Sequence, residues 1–146
     1  QSLAEALGRL GSRHALVLHS DDGLDEISVV APWRVWELRD GVVERFHIRP
    51  ADYGHGHEDL TGLVVENAAQ SADLIRAAFS GASDPAASKA RSMIALNAGA
   101  AIYVAGVVPT FRAGVEAADE ALASGLAQDK LDSFVACTRE MAGVGA

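Results

Sequence analysis

One cysteine and four prolines are all that this chain of 146 residues contains of either type. With Cys137 alone, no intrachain disulfide can form, and a reducing, cytosolic setting is expected. Positive charge is also scarce. Twelve Lys and Arg stand against 20 Asp and Glu, for a net charge of −8 and a pI near 5.0. Such a surface repels phosphate backbones, which argues against nucleic acid as a partner. A phosphate-bearing substrate would therefore need a metal ion or a confined basic patch. The chain opens on Gln1 rather than Met, and no basic segment precedes an apolar run, so a piece of a longer protein is expected. Residues 92–111 carry no charge and are long enough to cross a bilayer, but they are mostly Ala and Gly, with Asn97 inside and Pro109 near the end. Alanine contributes little to lipid transfer, so a buried core helix is expected and no membrane partner.

What is present supports a folded core. Hydrophobic residues make up 49% and charged residues 22%, in a length suited to about one domain. Of 28 alanines only four precede Pro50, so the first third should hold the sheet and the remainder the helices. Residues 2–10 place Leu3, Ala6, Leu7 and Leu10 on one helical face, with Gly11 as a stop. Residues 15–19 (ALVLH) form a continuous apolar run, as expected of a strand buried on both faces in a βαβ unit. Residues 27–30 read as another strand, ended by Pro32. Residues 35–38 and 43–48 flank Asp40-Gly41, a strong hairpin signal, and a polar loop covers 50–59. Four helical segments follow: 63–79, then one capped by Asp84-Pro85 and running to Gly106, one capped by Thr110 and ending at Gly125, and 128–141.

The chemically dense place is the loop after the ALVLH strand. Ligands of open α/β sheets bind beyond the carboxyl ends of strands, and Asp21, Asp22, Asp25 and Glu26 fall together there. Carboxylates this close repel one another unless solvated or bound to a cation. The adjacent Asp25 and Glu26 could serve one or two magnesium ions, with phosphates and water completing the octahedra. A solvated acidic turn, in which Asp21 caps Gly23, is the plain alternative. A calcium EF-hand is excluded by the missing glycine at loop position six and glutamate at twelve.

The residues then add up to a resemblance. Gly11-Ser-Arg-His-Ala-Leu-Val-Leu-His19 with Asp22-Gly23-Leu24-Asp25-Glu26-Ile27-Ser28 resembles the C-terminal half of the anthranilate phosphoribosyltransferases. The likeness continues through Glu37-Leu38-Arg39-Asp40-Gly41, Pro50-Ala51-Asp52-Tyr53-Gly54, Glu66-Asn67-Ala68 and Leu96-Asn97-Ala98-Gly99-Ala100 in the family's order. Ser20 and Leu63-Val64 depart from it, standing where glycine is frequent. The resemblance implies transfer of phosphoribose from 5-phosphoribosyl 1-diphosphate to the amine of anthranilate, with release of pyrophosphate, in tryptophan biosynthesis. It implies Asp25 and Glu26 as the magnesium pair. It also implies an α/β fold: the C-terminal part of a mixed, mostly parallel sheet flanked by helices, with a β-hairpin and a C-terminal run of four helices.

By the same resemblance residues 1–146 are the C-terminal part of the α/β domain. The family's Gly-Thr-Gly-Gly-Asp and Lys-His-Gly-Asn segments are not in this sequence, and the anthranilate-binding residues, first strands and dimer-forming helical domain belong upstream of Gln1. The chain is accordingly expected to be inactive alone, and its open sheet edge to be prone to aggregation. A related phosphoribosyltransferase or nucleoside phosphorylase with another acceptor, or a module without catalysis, are the alternatives; an upstream glycine-rich loop would favour an enzyme. Among the remaining candidates, His55 and His57 read as solvated loop residues and His19 as a packed strand end. Asn67 and Asn97 read as structural residues within helices, and Cys137 as an inert core residue. Trp33 and Trp36 suit packing of the sheet against helices or an interface.

Overall fold

A computed structural model describes residues 1–143. Helix α1 (Ser2–Arg9) leads into strand β1 (His14–Ser20), and β2 (Trp33–Arg39) and β3 (Val42–Ile48) follow. After a short 3-10 turn (Pro50–Tyr53) come α2 (Ala68–Ser80), α3 (Pro85–Val104), α4 (Phe111–Ala123) and α5 (Leu126–Met141). The three strands form one sheet in the order β1-β2-β3.

Both strand pairings are antiparallel, with Ser20 opposite Trp33 and Arg39 opposite Val42. The mostly parallel sheet expected from the sequence is therefore not what the described residues form. The apolar run of β1 is only partly buried, and such a run does not by itself reveal the direction of its neighbour. Strands β2 and β3 turn through Asp40 and Gly41 at φ 48° and 85°, a pair of left-handed residues that suits the twist of adjoining strands.

Residues 27–30 are not a strand either, although Ile27, Ser28 and Val29 are fully buried. Side chains and one loop amide replace a ladder there. Asn97 pairs with both backbone groups of Ile27, Trp33 Nε1 donates to the Ser28 carbonyl, and the His57 N–H donates to the Val29 carbonyl. Buried backbone groups need partners, and these satisfy the segment without extending the sheet.

One face of the sheet carries the core. Trp33, Val35 and Ile48 meet Leu96, Ala100 and Tyr103 of α3 and Phe111 and Val115 of α4, while Ile27 and Val29 fill the end nearest the loop. Helix α1 lies on the opposite face and covers part of it, where Leu38 lies against Gly8 and Ala4 is buried. The apolar face read from the sequence of α1 is not the buried one, since Leu3 and Leu10 remain exposed. Helix α2 starts at Ala68 rather than at 63, and Asn67 is its N-cap, accepting from the Gln70 N–H at 3.0 Å. Asp84, with Pro85 at the first helical position, caps α3, and Thr110 caps α4, as the sequence indicates. The uncharged segment supplies most of α3, and no described helix is long and apolar enough to cross a membrane.

Candidate functional site

Loop 21–32 leaves the carboxyl end of β1 and crosses to β2, and its tether points are set by residues on both sides. The Asp21 N–H donates to the Pro32 carbonyl at 3.0 Å, and Arg34 Nε donates to Asp21 Oδ1 at 2.9 Å. Asp22 turns inward. Its carboxylate accepts from Ser28 Oγ at 2.6 Å and from the Leu24 N–H at 3.3 Å. Burial opposes ionisation of Asp22, but these hydrogen bonds outweigh it and hold its pKa below the usual carboxylate value. Ser28 Oγ also accepts from the N–H groups of Val30 and Ala31, so a single buried hydroxyl gathers the descending half of the loop.

Two of the four carboxylates are thus occupied in holding the loop. Asp25 and Glu26 are the other two: exposed, adjacent, and with no hydrogen-bond or ion-pair partner among the described residues. It is Asp22, not Asp21, that braces the turn at Gly23, through its bond to Leu24. At the base of the loop Ser20 is buried, and its hydroxyl has no hydrogen-bond partner among the described residues. The side chains left uncommitted here, Asp25 and Glu26, offer oxygen donors, which suits a hard cation such as magnesium. That ion takes one or two carboxylates from protein and fills its octahedron with water and substrate oxygens. Among the described residues no three His, Cys, Asp or Glu side chains converge into a complete cage.

The structure distributes the other candidates widely. His19 is exposed at the end of β1 opposite Arg34, so it is not the packed residue expected from sequence. His55 and His57 are partly buried rather than solvated. They go separate ways, His55 Nε2 to Asp119 of α4 at 3.0 Å and His57 Nε2 to Ser92 of α3 at 2.9 Å, and so fasten loop 50–59 to two helices. Burial, aided by the charges of Lys89 and His55, lowers the His57 pKa. Cys137 is exposed on α5, contrary to the core position expected for it. Trp33 is fully buried against Phe111, whereas Trp36 lies under the Arg45 guanidinium on the other face.

Three features of the site are absent from the sequence reading: Arg34, Ser28 and the reach of Asn97 to Ile27. Each joins residues from 6 to 70 positions apart, and no local spacing encodes such pairings. A second polar group lies at the far end of β1. There Glu37 accepts from Tyr103 at 2.5 Å and pairs with His14 at 2.8 Å, while Arg39 donates to the Tyr103 hydroxyl. A cleft of about 540 Å³ lined by Arg13, His14, Arg39 and Asp40 opens beside it, away from the acidic loop.

Comparison with known proteins gives this geometry a setting. The family described as glycosyl transferase family, a/b domain, matches residues 1–128. An anthranilate phosphoribosyltransferase of Teredinibacter turnerae is 52% identical over 136 residues, which are 93% of this chain and 40% of that protein. The crystal structure of anthranilate phosphoribosyltransferase from Thermus thermophilus superposes with a TM-score of 0.76 at 34% identity, over 92% of this chain and 38% of that one. The anthranilate phosphoribosyltransferase of Saccharomyces cerevisiae in complex with PRPP and Mg shares the fold, with a TM-score of 0.66 at 20% identity over 83% of this chain and 34% of its own. The chain spans about two fifths of the length of the curated relatives it matches.

Proposed function

Because the chain belongs to the glycosyl transferase family, a/b domain, we propose that it is the magnesium-bearing C-terminal part of an anthranilate phosphoribosyltransferase. The observation that carries this reading is the 52% identity, along 93% of the chain, to a relative of that name. The division of labour in the acidic loop supports it. Asp21 and Asp22 hold the loop, and Asp25 and Glu26 present two uncommitted carboxylates to a cation. Magnesium bound there would neutralise charge on a diphosphate leaving group.

The chain's own contribution follows from its charge. At −8 it repels a diphosphate, so the loop must be held in one place for a cation to draw that group to it. Arg34 and Ser28 do this by tying the loop at both of its ends. Anthranilate carries an aniline-type amine that is neutral near pH 7, so its attack on the ribosyl carbon needs little base. Positioning and leaving-group electrostatics then supply most of the rate.

In the complete protein the grips on 5-phosphoribosyl 1-diphosphate and anthranilate, and the homodimer contact, belong to a part upstream of Gln1. The first strands of the sheet belong to that part as well. This division is tested by joining the corresponding upstream part of the Teredinibacter turnerae relative to this chain and following loss of anthranilate fluorescence with 5-phosphoribosyl 1-diphosphate. Expected are magnesium-dependent turnover by the hybrid, none by this chain alone, and a drop of about 100-fold or more in the hybrid carrying Asp25→Asn with Glu26→Gln. A folded hybrid without turnover, or a double variant as active as its parent, would refute the reading.

A further inference from the structure

Asn97 lies on α3, 70 residues from Ile27 in sequence, yet it joins the helical layer to the acidic loop through two hydrogen bonds. Its Oδ1 accepts the Ile27 N–H at 3.0 Å, and its Nδ2 donates to the Ile27 carbonyl at 3.2 Å. The same Nδ2 donates to the Met93 carbonyl one turn back at 2.9 Å, which fixes the rotation of the amide. The Ile27 N–H shares its peptide plane with the carbonyl of Glu26. The contact therefore sets the orientation of the plane joined to the Glu26 Cα, beside the pair Asp25 and Glu26.

The support behind Asn97 is rigid. Ala95 and Leu96 are completely buried, Gly99 lies against the backbone of α4, and Ile27 is itself 2% exposed. On the other side of Glu26 the loop is held through Asp21, by Arg34 and the Pro32 carbonyl, and through Asp22, by Ser28, with turn contacts at Gly23 and Leu24; none of these comes from a helix. Resting on the assignment of Asp25 and Glu26 to a divalent cation, we infer that Asn97 is a positioning residue for that pair. It transmits the rigidity of α3 to the peptide after Glu26, so the two carboxylates lose little freedom when a cation and a diphosphate bind. A group held in advance binds more tightly than one ordered at the moment of binding.

A merely structural asparagine would lower stability and leave cation affinity of the folded chain unchanged. The two roles separate in a titration of the full chain with Mn2+, alone and with inorganic pyrophosphate. Paramagnetic broadening of the Asp25 and Glu26 amide signals is the readout. Asn97→Ala removes the contact, and Asn97→Leu removes it while keeping the volume, so one serves if the other is poorly folded. Asn67→Ala, which removes the cap of α2 far from the loop, controls for lost stability. At a temperature where all are folded, both Asn97 variants are expected to weaken Mn2+ binding about tenfold, the usual size of an effect behind the ligands, and Asn67→Ala to leave it unchanged. Wild-type broadening with unchanged affinity in the Asn97 variants would overturn the positioning role and leave the metal assignment standing. No broadening in the wild type would overturn both.

Discussion

Four carboxylates fall within six positions of the sequence, and the tertiary structure sorts them by the partner each finds. All four residues are exposed, but Arg34 takes Asp21 and Ser28 takes Asp22, which leaves Asp25 and Glu26 without a partner among the described residues. His57 shows the same dependence on surroundings. Read alone it is a loop histidine, but its Nε2 meets Ser92, and burial lowers its pKa. The unfolded chain, with an ordinary histidine near 6.5, then binds a proton at a pH where the folded chain does not. Stability contributed by neutral His57 is present in full above about 6.5 and declines as pH falls below that value. Urea unfolding of the wild type and His57→Gln should therefore show an extra loss of stability as pH falls below about 6.5 in the wild type only. Parallel pH profiles would show that burial of this imidazole does not govern the acid limb.

Among the elements, α3 and α4 bear most directly on the site, because α3 carries Asn97 and the position of α3 depends on α4. Their backbones meet at two glycines. A Cβ at position 114 would lie 2.3 Å from the Gly99 carbonyl oxygen, and one at 99 would lie 2.7 Å from the Val115 backbone. Such contacts involve main chain, so no side-chain rotation relieves them. Gly114→Ala should cost about 3 kcal/mol in denaturant unfolding, at the upper end of overpacking effects, despite alanine's better helix propensity. A variant as stable as the wild type would mean that the helices can separate freely. The helix stops and caps were legible in sequence because a cap acts within three residues: Asp84 on the Ala87 N–H and Thr110 on the Ala113 N–H. Segment 27–30 was not legible. Its apolar residues match a strand, and whether its backbone meets another strand or side chains such as Asn97 is decided 70 residues away.

For the whole molecule, one face of a three-stranded sheet is covered by α3 and α4, and α1 covers only part of the other. Among the described residues β1 and β3 are both edge strands, and Leu3, Leu10, Val42, Phe134 and Met141 remain exposed. Unpaired strand edges beside exposed apolar side chains favour association between copies, and a charge of −8 only partly opposes it. Sedimentation velocity over a concentration series should accordingly show a weight-average mass that rises with concentration and rises further in added salt, which screens the repulsion. A single monomeric species under all those conditions would contradict this expectation.

The sequence by itself determined the pattern of local order: a first helix, sheet residues in the first third and helices after them, a turn at Asp40-Gly41, caps at Asp84 and Thr110, and a dense acidic loop beyond the ALVLH strand. Each of these depends on residues a few positions apart, so sequence spacing contains the physics. Tertiary structure decided the direction in which β1 is paired, the irregular path of residues 27–30, the exposure of Cys137, and which carboxylates are left without partners. These outcomes depend on which distant groups satisfy buried donors and acceptors. Only the closed fold brings Asn97, Arg34 and Trp33 to the loop they hold.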